Sequence, residues 1–216
     1  MEKTQGILPD HPDRSVCFTG HRWIDALETE RLAKSLRILI RTAAEYGYTD
    51  FYCGGALGFD TLAAEAVLSV RKSNPAIRLH LIIPCRNQAE HWPAADRIRY
   101  RAVMEAADEV VILSEKYDPG CMMARNMYMV NHASVCICYL KTMRGGTWST
   151  VRYAVQKNLS VCNLAVQKEP TPDVLKEGPL WSCTFTFPSA KRNAVTAPFR
   201  LSAAGKGFGC SVRTGN

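Results

Sequence analysis

Four short segments of this chain combine glycine with residues that could hold an anion or a sugar. They are Thr19-Gly20-His21-Arg22, then Gly54-Gly55-Ala56-Leu57-Gly58-Phe59-Asp60, then Pro84-Cys85 with Gln88, His91 and Trp92, and finally Arg144-Gly145-Gly146-Thr147. Glycine lets main-chain amides approach phosphate oxygens, and a helix start adds a favourable dipole. Arginine supplies forked, charge-assisted hydrogen bonds to the same oxygens. Together these residue types suit a phosphorylated ligand.

Each segment also has a structural reading. Glycine pairs serve tight strand-to-helix turns with no ligand. Asp60 would cap a helix starting at Thr61, or bind sugar hydroxyls. Its charge would repel phosphate, so an anion is expected on the Gly54 and Gly55 side. His21 is either a ligand contact or a structural hydrogen-bonding residue. Trp92 either packs or stacks on a base. Met122, Met123, Met127 and Met129 read as core filler on a helix.

The elements that position these segments follow from apolar patterning. Short continuous apolar runs at residues 15–18, 51–53, 79–83, 110–113, 135–139 and 161–164 fit strands covered on both faces. Between them lie helix-patterned segments, with Leu32, Leu36, Leu39 and Ala43 in one and Leu62, Ala63, Ala66, Val67 and Val70 in the next. Residues 93–107, 122–130 and 148–155 fill the later gaps. This alternation predicts an α/β, Rossmann-like three-layer domain with a mainly parallel sheet of about six or seven strands. In such a sheet ligands bind beyond the carboxyl ends of the strands, where all four segments fall.

The expected domain covers residues 1–165. A basic C-terminal extension, residues 166–216, follows, with an edge strand expected near 181–187 and a mobile, glycine-rich end. Seven of the 27 basic residues but only three of the 20 acidic ones lie from Val166 onward, so the body carries only +3 of the net +7. That balance is weak support for a nucleic-acid groove in the fold itself. No apolar run approaches the roughly 18 residues needed to span a bilayer, and residues 1–15 lack a signal-peptide core. A cytoplasmic protein without membrane contact is expected. The nine cysteines are an odd number, several lie inside apolar runs, and no metal-ligand spacing accompanies them. Core packing rather than metal binding is expected.

Phe18-Thr19-Gly20-His21-Arg22, the Gly54 to Asp60 block, Ile83-Pro84-Cys85, Arg125-Asn126-Met127-Tyr128-Met129-Val130 and Arg144-Gly145-Gly146-Thr147 occur in that order. As an ordered set they resemble the YpsA-like branch of the SLOG superfamily. The resemblance covers roughly residues 15–164. It implies a Rossmann-like fold that binds a nucleotide or an NAD-derived ligand such as ADP-ribose, with no settled catalytic activity in this branch.

Two related groups supply the alternatives. The LOG phosphoribohydrolases cleave the N-glycosidic bond of nucleoside monophosphates with a motif resembling Gly-Gly-x-Gly-Thr-x-x-Glu and an upstream Arg. Arg125 matches that Arg, but the Glu position falls on Thr150, which cannot supply a carboxylate. The DNA-processing protein A family binds single-stranded DNA, and Gly54 to Asp60 and Gly20-His21-Arg22 resemble its loops. Single-strand binding calls for a basic groove interleaved with aromatics, so nucleic acid is the secondary reading.

The expectation is therefore a binder, for sensing or sequestering, of a small nucleotide, with no certain cofactor and no metal. Gly54, Gly55, Gly145, Gly146 and Thr147 would offer amides to phosphate, and Arg22 and Arg125, with Arg144 nearby, would pair with its oxygens. Gly20, Ala56 and Gly58 would shape the turns. His21, Asp60 and Asn126 would orient sugar or base, and Pro84, Cys85, Gln88 and Trp92 would form the wall. The sequence leaves a homodimer open.

Overall fold

Six fully parallel strands form the central sheet of the computed structural model, which describes residues 14–165 and three short strands beyond them. The strands are β1 (Ser15–Gly20), β2 (Asp50–Cys53), β3 (Arg78–Ile83), β4 (Glu109–Ile112), β5 (Val135–Tyr139) and β6 (Ser160–Asn163). The helices are α1 (Ala26–Glu45), α2 (Phe59–Arg71), α3 (Ala94–Ala106), α4 (Cys121–Asn131) and α5 (Gly145–Gln156). Every strand is followed by a helix until β6, and the sheet order is β4-β3-β2-β1-β5-β6. The expected Rossmann-like α/β architecture is what the chain adopts.

Strand alternation sorts the core into two layers. On β1 and β5, Val16, Phe18, Val135, Ile137 and Tyr139 pack with α1, α2 and α3, while Cys17, Cys136 and Cys138 pack with α4 and α5. The seven cysteines of the described domain are buried and outside any disulfide, used as small hydrophobes. Among the described residues no group of three His, Cys, Asp or Glu side chains could hold a metal.

Local signals explain the helix ends. Asp25 caps α1 by accepting from the Leu27 amide at 2.9 Å. At its other end Gly47 takes φ +86°, and the Gly47 and Tyr48 amides return to Ala44 and Ala43. Leu32, Leu36, Ile40 and Ala43 form its buried stripe. The methionines of α4 divide instead of filling the core: Met129 is buried, while Met123 and Met127 are exposed. That stretch of helix faces solvent beside α5, so thioethers there cover surface.

The amino end of the sheet is closed by a buried polar cluster. The two ring nitrogens of His80 lie 2.8 Å from Asp50 Oδ1 and 2.8 Å from Glu109 Oε2. Arg78 reaches Asp50 at 2.9 Å, and Tyr52 stacks on the His80 ring at 4.8 Å. These contacts join β2, β3 and β4 at the end opposite the glycine loops.

Beyond the domain, β7 (Ser182–Thr184), β8 (Pro198–Ser202) and β9 (Gly209–Ser211) form a separate antiparallel sheet in the order β7-β8-β9. β7 falls where an edge strand near 181–187 is expected, and it pairs with β8. The rest of the expected extension and its end lie outside the described residues.

Candidate functional site

β1 and β5 are hydrogen-bonded neighbours, yet the chain leaves them toward opposite faces, into α1 on one side and α5 on the other. Such a reversal opens a crevice at the carboxyl edge of a parallel sheet. The loops on its two sides are stitched together. His21 N–H donates to the Tyr139 carbonyl at 3.3 Å, and Lys141 N–H donates to His21 Nε2 at 2.9 Å. His21 is therefore a structural acceptor. Burial first, and the nearby Lys141 charge second, hold its imidazole below the ordinary histidine range.

The second loop packs directly onto the first. Phe59 N–H donates to the His21 carbonyl at 3.2 Å. Gly58, at φ +76°, caps α2, and a Cβ there would strike the carbonyls of His21 and Arg22. A Cβ on Gly20 would strike Phe59. The helix thus begins at Phe59, two residues before the expected start. Asp60 sits in its first turn and accepts from the Ala56 amide at 3.4 Å instead of capping from outside.

Asp60 and Arg125 form a buried pair beneath this loop. Both residues are 5% exposed, with 3.6 Å between Nη1 and Oδ2. Arg125 also donates to the Gly54 carbonyl through Nη1 and to Asn126 Oδ1 through Nε at 2.7 Å. Burial pushes the Asp60 carboxyl up, against the pull of Arg125, the Ala56 amide and Arg22. The same burial lowers the Arg125 guanidinium. A Cβ on Gly54 would land on that guanidinium, so glycine is required there by the protein's own arginine.

Gly55, at φ +60°, has Ile83 and Tyr100 close to where its Cβ would stand and Gln88 at ordinary contact distance. Gln88 Nε2 donates to the Gly55 carbonyl at 3.0 Å, and its buried Oε1 has no hydrogen-bond partner among the described residues. Trp92 is half-buried and meets Tyr100 edge-on at 5.2 Å. Burial pushes the Tyr100 hydroxyl up to about 12. Pro84 and Cys85 are buried in this wall, the Cys85 thiol raised by burial and by Cys121.

The fourth segment is different. Arg144, Gly145 and Gly146 are exposed, and α5 begins there with no side-chain cap. The first amides of a helix have no intrahelical acceptor. Among the described residues, leaving aside the chain neighbours and the helix's own backbone, no atom lies within 4 Å of where a Cβ would stand on Gly145 or Gly146. Gly145 needs glycine for its φ of +77°, whereas Gly146 has neither an unusual φ nor a close neighbour. Thr147 is half-buried, and Thr150 is buried, donating to the Gly146 carbonyl at 2.8 Å.

The structure therefore gathers the expected residues into two sets. Gly54, Gly55, Ala56, Gly58, Asp60, Arg125, Asn126, Cys85, Gln88 and Trp92 lie in a packed floor, in which Gln88 Oε1 is left without a partner among the described residues. Arg22, Arg144, Gly145 and Gly146 are exposed and Thr147 is half-buried, on the segments that follow β1 and β5. Sequence reasoning passed over Trp23, which is 91% exposed beside Arg22, and Lys141, whose Nζ lies 5.3 Å from the Tyr139 ring centre. An aromatic directly after a glycine-arginine turn was the available signal for Trp23.

Residues 23–165 match the family model described as YpsA, YspA SLOG family. The chain belongs to this family. Its relatives include the SPbeta prophage-derived protein YoqJ of Bacillus subtilis, 28% identical in an alignment of 116 residues that covers 48% of this chain and 68% of YoqJ. A UPF0398 protein, BH1768 of Halalkalibacterium halodurans, is 31% identical over 46% of this chain and 53% of its own length. Among solved structures, DNA processing protein A of Helicobacter pylori, described by its single-stranded DNA binding mode, superposes with a TM-score of 0.52 at 20% identity, over 76% of this chain and 72% of that one. The Streptococcus pneumoniae counterpart gives 0.51 at 19%, over 69% of this chain and 49% of that one. These likenesses establish the shared fold of this YpsA-family protein. No helix among the described residues is long and apolar enough to cross a membrane.

Proposed function

We propose that this YpsA-family protein binds a small phosphorylated nucleotide, of the ADP-ribose type, in the crevice between β1 and β5. Its phosphate is held by the first amides of α5 and by Arg144 and Arg22. The observation that carries this reading is Gly146. Glycine in a helix interior costs roughly 0.5–1 kcal/mol relative to alanine, and at this first-turn position neither an unusual φ nor a close neighbour among the described residues demands it. A ligand whose oxygens approach the main chain gives the missing reason. The uncapped helix start and the exposed arginine at its N-cap support the same conclusion.

Gly54 and Gly55 then act indirectly. Gly54 admits Arg125 to the floor, and Gly55, at positive φ against Ile83, offers its carbonyl to Gln88, which fixes the loop. Binding without turnover is favoured by Thr150, a buried hydroxyl that occupies the position where the LOG motif has its glutamate. Asp60, the nearest substitute, is engaged with Arg125 and the Ala56 amide.

Calorimetric titration with ADP-ribose, NAD and nucleoside monophosphates tests the proposal, with saturable binding of at least one expected. The second reading, single-stranded DNA, is favoured by the fold shared with the DNA processing proteins. Silence across the nucleotide panel, together with salt-sensitive binding of an oligonucleotide, would transfer the site to that ligand. Release of free base from a monophosphate would instead establish hydrolysis.

A further inference from the structure

We infer that Trp23 is a stacking platform for a nucleobase, a role that rests on the phosphate site proposed above and extends it. Trp23 is 91% exposed, and Leu27, one turn along, is 89% exposed. An indole presents a large flat apolar face with a polar edge, a surface suited to stacking.

The main chain that carries the ring is fixed on every side. The His21 carbonyl accepts from the Phe59 amide, and the His21 amide and ring hold the Tyr139 carbonyl and the Lys141 amide. The Arg22 carbonyl lies against Gly58, and Asp25 caps α1 through the Leu27 amide. The ring is therefore displayed from a rigid base, so a flat partner can stack without ordering a loop first.

The charges around it select the partner. Arg22 precedes the ring, and its charge acts on both Asp60 and Arg125 at the floor of the crevice. Lys141, whose main-chain amide donates to His21 Nε2, follows β5 and carries its Nζ over the Tyr139 ring. An exposed indole adjoining an exposed arginine in the chain suits an aromatic group covalently joined to phosphate, which is a nucleotide. Trp92, by contrast, already has Tyr100 against it.

The test compares ADP-ribose, ribose 5-phosphate and a short oligothymidylate on the full chain, as wild type, Trp23→Ala and Trp23→Phe. Trp23→Ala should weaken ADP-ribose roughly tenfold, leave ribose 5-phosphate unchanged, and be largely rescued by Trp23→Phe. The same pattern with oligothymidylate alone would keep the platform and assign the base to a single strand. Equal ADP-ribose affinity in wild type and Trp23→Ala overturns the platform while leaving the phosphate site standing. Loss of ribose 5-phosphate binding in Trp23→Ala, or a loss of self-association in sedimentation with nucleotide binding intact, also overturns it. If wild type binds none of the three probes, the phosphate site fails and the platform falls with it.

Discussion

The guanidinium of Arg125 occupies the space that a side chain on Gly54 would need, and it donates to the Gly54 carbonyl from there. The glycine and the arginine are 71 residues apart in sequence and form one device. It joins α4 to the loop after β2 across the sheet. Gly54→Ala must displace the arginine from its buried position beside Asp60. A loss of about 2–4 kcal/mol in stability is expected, read from the urea midpoint.

Removing Arg125 exposes the sign of its pairing with Asp60. Burial already raises the folded-state carboxyl above its ordinary value, so the fold favours the protonated acid. That favourable contribution is complete at low pH and is lost as pH rises through the folded value. Arg125→Met removes the main opposing charge and widens the effect. Its destabilisation should be small at about pH 4 and reach about 3–5 kcal/mol at about pH 8. Adding Asp60→Asn should restore much of the loss in the same denaturation series.

The opposite sign applies at the other end of the sheet. Burial disfavours the Asp50 carboxylate, but hydrogen bonds from His80, Thr49 and Arg78 bring its value from 3.8 down to about 2. The stability it adds is present above 3.8 and is lost as pH falls toward 2. Asp50→Asn should therefore cost about 2 kcal/mol at neutral pH, with the gap to wild type closing below about pH 3. Parallel urea titrations across pH measure it.

His21 makes a third pH-dependent contact. Its Nε2 accepts from Lys141 N–H, which a protonated ring cannot do. Since burial lowers its value, the contact should persist below the ordinary histidine range of about 6.5 and break only at lower pH. The Lys141 amide resonance in a two-dimensional NMR titration should shift with that lowered midpoint. A midpoint at or above the ordinary value would contradict the assignment.

How much of this was legible in the sequence depends on whether the signal is local. The six apolar runs located the six strands because strands covered on both faces are continuously apolar, and 135–139 coincides with β5. The order of glycine loops placed them at one edge. Partners in the third dimension were not legible. Nothing near Gly54 announces that Arg125 fills its space, and nothing near Asp50 announces His80 and Glu109. The helix start at Phe59 was misplaced because Gly58 adopts a positive φ in response to the His21 and Arg22 carbonyls, a tertiary contact. Met123 and Met127 were assigned to the core because apolarity alone does not give the face of a helix.

The central claim is that the start of α5 holds phosphate through its main chain, and Gly146→Ala probes it most directly. A methyl there meets no other element among the described residues and suits a helix, so the variant should be as stable as wild type, or more stable by up to about 1 kcal/mol. Calorimetry with ADP-ribose should nevertheless show affinity reduced roughly tenfold or more, since the methyl stands where the phosphate oxygens approach. Equal affinity in the two proteins would contradict the account.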